Sequence, residues 1–456
     1  MKNDTEPTST PASLSRRSFL QKTSTAAAGA SLLASLPIER FAHAAGGDQL
    51  KIALIGCGGR GSGAADQALT TKDQGKIKLV AVADVHEDRM LGSLSNLRKK
   101  HPDDVDVKPD HEFLGFDGYK KAIAAADVVV LATPPGFRPM MFEEAVRQGK
   151  HVFTEKPVCV DAGGFRRFMA AAQEAKKKNL KVGVGLQRHH QAGYIETMKR
   201  LHDGAIGDIV SMRAYWNGNT PWVHPREELE KQHGRKLTEM EYQLRNWYYF
   251  VWLCGDHICE QHIHNLDVIN WLKKGHPVKA RGMGGCETRK GKDYGEIFDH
   301  HSVEFFYEDG SVCHSMCRHQ QGCWNEVSEY AIGSKGRSEL NRYVITGENK
   351  WKHSGKEDKN PYQQEHDDLF DAIRNNKPYS EAESGAISSM TAVLGRMATY
   401  SGKEIEWEAA VNGSQDTMVK DIDKVSFAQA LKLDPPSMPG PDGMYQLPVP
   451  GKTNVL

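Results

Sequence analysis

The sequence predicts an α/β protein: a parallel sheet first, then an α+β region built on a largely antiparallel sheet. Three observations predict it. Short apolar runs alternate with helical stretches between Lys51 and Lys178, the pattern of strands joined by helical crossovers. After Lys181 the polar loops lengthen, and Asp309-Gly310 separates two strand-like runs, a hairpin signal. The 456 residues carry 59 Lys+Arg against 59 Asp+Glu, with 39% hydrophobic residues. That content supports a core, and a chain without positive excess has no electrostatic footprint for nucleic acid or an anionic membrane.

Taken in order, Ser15-Arg16-Arg17-Ser18-Phe19-Leu20 is a twin-arginine pattern. A weakly apolar run to about Leu36 and an A-x-A-like site at Ala42-His43-Ala44 follow, so residues 1–46 read as a signal peptide and linker cleaved near Ala44. The expected destination is periplasmic or otherwise exported, with the twin-arginine export machinery as a partner. No later segment reaches ~18 uninterrupted apolar residues. The eight cysteines include no C-x-x-C pair, which argues against a zinc ribbon. Several lie in apolar runs and read as buried thiols.

Residues 47–180 form the predicted parallel-sheet domain. Lys51–Ile55, Leu79–Ala83, Asp127–Ala132 and His151–Thr154 read as strands, with helices at Gly63–Thr70, Met140–Gln148 and Phe165–Lys178. Residues 181–410 form the α+β domain and open with Val182-Gly183-Val184-Gly185. Residues 411–456 are a C-terminal extension, rich in Pro and Gly towards its end and expected to run over the surface.

Gly56-Cys57-Gly58-Gly59-Arg60-Gly61 fits G-x-G-x-x-G between a strand and a helix. Glycines there let backbone approach a pyrophosphate, and the helix N-terminus supplies N–H donors. Asp84 ends the second strand, 23 residues beyond Gly61, near the ~20-residue offset of a carboxylate that grips the adenosine ribose. That acid favours NAD; Arg60 and Arg89 leave NADP open. Glu155-Lys156-Pro157 follows a strand, and ligands of parallel sheets bind beyond the strands' carboxyl ends.

The glycine loop, Ala132-Thr133-Pro134 and Glu155-Lys156-Pro157 together resemble the Gfo/Idh/MocA family (glucose–fructose oxidoreductase and inositol dehydrogenase), from about Lys51 to Trp407. The resemblance implies a Rossmann domain followed by an open-faced sheet that commonly pairs with another subunit, hence a homo-oligomer. It also implies NAD-dependent oxidation of a secondary hydroxyl, with Lys156 beside the nicotinamide and the substrate. The cofactor set it implies is Gly56, Gly58, Arg60, Gly61, Asp84, Thr133, Pro134, Glu155 and Lys156.

Cys254 to Trp271 holds the second cluster: CGDHICEQHIHNLDVINW. Read as one helix from Gly255, it places Asp267, Glu260, Trp271, His264 and His257 within an arc of roughly 80°. His262 points away, so the histidines do not converge on a metal, and no metal is expected. Glu260 and His264, four apart, can meet, and a carboxylate beside an imidazole fixes its tautomer and stabilises its protonated form. Many family members carry an aspartate, a histidine and a second aspartate at this spacing. The matching residues here are Glu260, His264 and Asp267, with the first acid one methylene longer.

The predicted catalytic set is therefore Lys156, His264 and Glu260. Arg188, His189, Trp216, Asp267 and Arg318 are expected to bind the sugar or polyol, since aromatic faces and forked donors suit such ligands. The function expected is a periplasmic oxidoreductase that keeps its nicotinamide cofactor tightly bound and acts on a sugar, glycoside or cyclic polyol. The alternatives are an NAD-dependent glycoside hydrolase or lyase working by transient oxidation and elimination, and a non-catalytic sugar-binding protein.

Overall fold

The computed structural model describes residues 49–355 and 358–456; the twin-arginine segment lies outside them. The first sheet has six parallel strands: β1 (Leu50–Ile55), β2 (Ile77–Asp84), β3 (Glu112–Leu114), β4 (Val128–Leu131), β5 (His151–Thr154) and β6 (Val182–Val184), in the order β3-β2-β1-β4-β5-β6. Continuous apolar runs such as Val128–Leu131 form its buried centre, fully shielded on both faces, as parallel strands under helices require. One sequence expectation is corrected here. Val182–Val184 does not begin the second domain; it pairs with β5 as the sixth parallel strand, so the sheet runs past the boundary placed at residue 180.

The second sheet has nine strands in the order β14-β13-β12-β11-β7-β10-β9-β8-β15. They are β7 (Ile209–Gly218), β8 (Lys279–Gly285), β9 (His300–Phe306), β10 (Val312–His319), β11 (Glu326–Gly333), β12 (Gly336–Glu339), β13 (Val344–Gly347), β14 (Trp351–Lys352) and β15 (Ile405–Glu406). All its pairings are antiparallel except β7 with β10. Gly310, at φ +83°, turns the chain between β9 and β10, as the D-G signal predicted. The helices Ile263–Lys273 and Ala382–Ser401 cover one face of this sheet. The latter is buried almost throughout. The other face is mixed, with Arg213, Met283 and His314 exposed.

Two further segments complete the described structure. Residues 219–250, between β7 and the 254–271 cluster, carry the short helices Arg226–His233 and Glu239–Arg245. The second of these is held at its start by a Thr238–Glu241 capping box, which satisfies two otherwise orphaned N–H groups. The C-terminal extension runs over the surface but is tied down at both ends. Thr417 donates to Asp161, and Tyr119 Oη donates to Asp423 Oδ2 at 2.7 Å. Gln243 Nε2 donates to the Ser437 carbonyl at 2.6 Å, and Tyr445 Oη donates to Glu239.

Candidate functional site

The carboxyl ends of the parallel strands open on a cleft of about 890 Å³. Its floor is the glycine loop, whose helix starts at Gly59 rather than Gly63. Gly56 holds φ +93°, and a Cβ on Gly61 would lie 1.9 Å from the Gly56 carbonyl oxygen. Both positions therefore require glycine for packing. Gly58 and Gly59 face open space, leaving bare backbone and the helix's first-turn N–H groups, which a helix cannot pair internally, towards the cleft. Such a surface fits a dinucleotide pyrophosphate.

Asp84 lies at the end of β2 as predicted. Its carboxylate accepts from the backbone N–H of Cys57 at 2.6 Å and of His86 at 2.8 Å. Burial raises its pKa against those two bonds. Arg60 donates through Nε to Glu155 Oε1 at 2.6 Å and through Nη2 to Gln67 Oε1 at 2.6 Å. Burial works against its charge, but Glu155 and Glu365 outweigh that and hold its pKa up. All nine predicted cofactor residues line this one cleft.

At its inner end Lys156, presented after β5, donates to Glu260 Oε1 at 2.9 Å and to the Glu260 carbonyl. Both side chains are largely buried. His264 lies beside them, its ring stacked on Trp216 with centroids 5.9 Å apart. Burial, then the positive charges of Lys156 and Arg188, push the His264 pKa well below its ordinary value. Its Nδ1 is buried without a partner among the described residues.

This arrangement corrects the relay expected between Glu260 and His264. The segment 255–271 is not one helix. Asp256, a non-glycine residue at φ +74° and ψ 163°, caps a single turn, His257–Glu260. The helix then breaks at Gln261 and resumes at Ile263. The Asp256 carboxylate is fully buried and accepts from His257 N–H, Phe298 N–H and Tyr400 Oη, which offsets the cost of such a backbone. The break turns Glu260 towards Lys156, and His264 is kept neutral rather than protonated. His262 does point elsewhere, to Ser315 Oγ at 2.7 Å.

Of the predicted substrate residues only Trp216 lines the cleft. Arg188 is committed to the fully buried Glu329, which also accepts from Tyr194 Oη and Asn265 Nδ2. His189 pairs through Nε2 with Asp267 Oδ2 at 2.8 Å and stacks on Trp271, and Asp267 also accepts from Ser388 Oγ. Arg318 donates to the Trp324 carbonyl and covers that indole. These four are structural polar contacts. The wall that sequence reasoning missed comes from residues 219–250: Trp222, His224, Leu244 and Trp247 line the cleft, and Arg245 donates to both carboxylate oxygens of Asp88.

Asp256, His257 and His301 bring three possible metal-ligating atoms within 4.8 Å of one another in the interior. The Asp256 carboxylate there is already engaged by hydrogen bonds from Phe298 N–H and Tyr400 Oη.

Known proteins agree with this architecture. The family model GFO_IDH_MocA, described as an oxidoreductase family with an NAD-binding Rossmann fold, matches residues 50–185. An inositol 2-dehydrogenase of Burkholderia multivorans is 28% identical over 242 residues, covering 53% of this chain and 59% of that protein. This chain spans about half the length of the curated relatives it matches. Among solved structures, scyllo-inositol dehydrogenase of Lactobacillus casei with bound NAD(H) and scyllo-inositol has a TM-score of 0.57 at 19% identity, covering 79% of this chain and 100% of that one. The aldose–aldose oxidoreductase of Caulobacter crescentus complexed with glycerol has a TM-score of 0.58 at 17% identity, with coverage of 79% and 100%. At these identities the structures share the fold.

Proposed function

We propose that this chain, a Gfo/Idh/MocA oxidoreductase by its NAD-binding Rossmann module, transfers hydride between a resident nicotinamide cofactor and a secondary hydroxyl of a sugar, glycoside or cyclic polyol. The observation that carries the proposal is the contact of Lys156 Nζ with Glu260 Oε1 at 2.9 Å, in the same cleft as the glycine loop and beside a neutral imidazole. NAD, when bound, supplies the hydride acceptor. Gly56 to Gly61 would hold its pyrophosphate, Asp84 would take the adenosine ribose, and Thr133, Pro134 and Lys156 would border the reactive ring. Glu260 fixes the Lys156 ammonium, which donates to the substrate oxygen and stabilises negative charge developing there. The neutral His264 takes the hydroxyl proton at Nε2. Trp216 offers an apolar face to the ring carbons.

The Arg16-Arg17 pattern supports export of the folded protein with its cofactor aboard. A compartment without free dinucleotide then requires a second substrate to restore the cofactor within each cycle. Denaturing the purified protein tests this: dinucleotide in the supernatant supports it, and its absence refutes residence. A chromogenic glycoside separates the chemistries. Aglycone release without added cofactor or net NADH would replace this function with transient oxidation and elimination.

A further inference from the structure

Gln261 stands in the break between the two helical pieces, between Glu260 and His264, and lines the same cleft. Its Oε1 lies 2.7 Å from His319 Nε2. The other nitrogen of that ring, Nδ1, faces Arg289 Nη1 at 3.4 Å. A guanidinium has donors and no acceptor, so His319 Nδ1 must accept and Nε2 must carry the ring's hydrogen. His319 is 1% exposed, and burial followed by the charges of His257 and Arg289 keeps it neutral, consistent with one hydrogen on the ring. The ring is held between His257, with centroids 4.3 Å apart, and Tyr248 at 5.9 Å. Arg289 is itself pinned, donating through Nη2 to the Phe298 carbonyl and through its backbone N–H to Asp299 Oδ2. The direction of the chain is thus set from its buried end. Arg289 donates to His319, His319 donates to Gln261 Oε1, and the Gln261 amide must turn its NH₂ outward. Among the described residues that NH₂ has no protein partner.

We propose that Gln261 is a substrate-positioning residue, held as an obligate donor by His319 and Arg289, and that it binds an acceptor oxygen of the substrate next to the reacting carbinol. This rests on the function proposed above and adds its specificity. Lys156 and His264 act at the reacting oxygen, while Gln261 reads the neighbouring one. The substrate class is narrowed to sugars or polyols oxygenated at both positions, and a mono-deoxy analogue lacking the neighbouring oxygen leaves the amide unpaired.

The test is a cycle between residue and substrate, run on the holoenzyme with a polyol or sugar that the wild type oxidises and with its mono-deoxy analogues. In the wild type, one deoxy position lowers kcat/KM by about tenfold, the size of one neutral hydrogen bond. Gln261→Met loses about the same factor on the parent compound and no longer distinguishes it from that analogue. His319→Phe keeps the stacked ring, reproduces the loss, and adds nothing further when combined with Gln261→Met. Thermal melting checks that each variant is folded. A Gln261→Met enzyme that loses the same factor on every substrate, or that still discriminates the analogue, overturns the proposal. If the wild type oxidises no sugar or polyol, the underlying function fails instead.

Discussion

Lys156 Nζ and Glu260 Oε1 meet 2.9 Å apart although 104 residues separate them in the chain. The contact joins the end of a parallel strand to a one-turn helix ahead of the covering helix of the second sheet. It gives the lysine a fixed direction in the cleft. Replacing Lys156 by Met is expected to leave dinucleotide bound and to lower turnover by about 10²–10⁴, the range for a lost acid–base group. Glu260→Gln keeps an acceptor but removes the charge, and is expected to cost about tenfold. Steady-state kinetics with cofactor occupancy measured on the same samples checks both; near-normal rates for Lys156→Met would remove it from the chemistry.

The glycine loop separates two kinds of requirement. Gly61→Ala places a Cβ 1.9 Å from a backbone oxygen, so it is expected to lower thermal stability and abolish dinucleotide binding together. Gly58 has φ −70° and open space around its Cβ position. Gly58→Ala is expected to melt like the wild type and yet bind dinucleotide more weakly, because the new methyl group occupies phosphate space. Melting curves with and without added NAD distinguish the two.

Several histidines are buried without charge. Burial is the largest cause that lowers His86 and His262 to about 3 and His151 and His301 to about 4. Each folded value lies below the unfolded one, so unfolding takes up protons and stability falls as pH drops below about 6.5, by up to ~1.4 kcal/mol per group per pH unit. His190 runs the other way. Burial opposes its charge, but Asp368 and Glu381 raise its pKa to about 10. Its contribution is full below its unfolded pKa and disappears as pH rises through about 10. Urea midpoints are therefore expected to peak near pH 6.5 and to decline on both sides, on the alkaline side until about pH 10. His190→Ala should flatten the alkaline side only, and an acid limb that survives below pH 4 without loss would contradict the neutral histidines.

The Arg245–Asp88 pair lowers Asp88 to about 2, chiefly through the Arg245 hydrogen bonds. It ties residues 219–250 to the helix Glu87–Lys100 at the Asp84 end of the cleft. Asp88 is well exposed, so the pair adds little to global stability. Arg245→Ala is expected to leave melting unchanged and to speed dinucleotide loss about two- to fivefold, read as the decay of bound cofactor during dilution. An unchanged decay rate would show that this wall does not retain the cofactor.

The first half of the site was legible because its geometry is local. Strand, glycine turn, helix and Asp84 follow one another within 35 residues, and Lys156 follows its strand directly. The second half was legible only in part. Periodicity assumed one continuous helix and could not foresee that Asp256 would hold φ +74° and break it. Arg188, His189 and Arg318 have side chains that suit sugars, but their partners are set by tertiary contacts; Glu329 lies 141 residues from Arg188. Trp222, His224 and Trp247 belong to no motif, so nothing short of the folded chain places them in the cleft. Gln261 was hidden for the same reason, since its role depends on His319, 58 residues away.

The C-terminal extension bears on the order in which the molecule is completed. Phe427 lies against Gly115 and against Phe116, with ring centroids 5.9 Å apart, and Gly115 and Phe116 both line the cleft. A ribosome delivers those stretches more than three hundred residues before it delivers Phe427. The side of the pocket at Gly115 and Phe116 therefore gains its outer packing only after the residues of every other wall have been made.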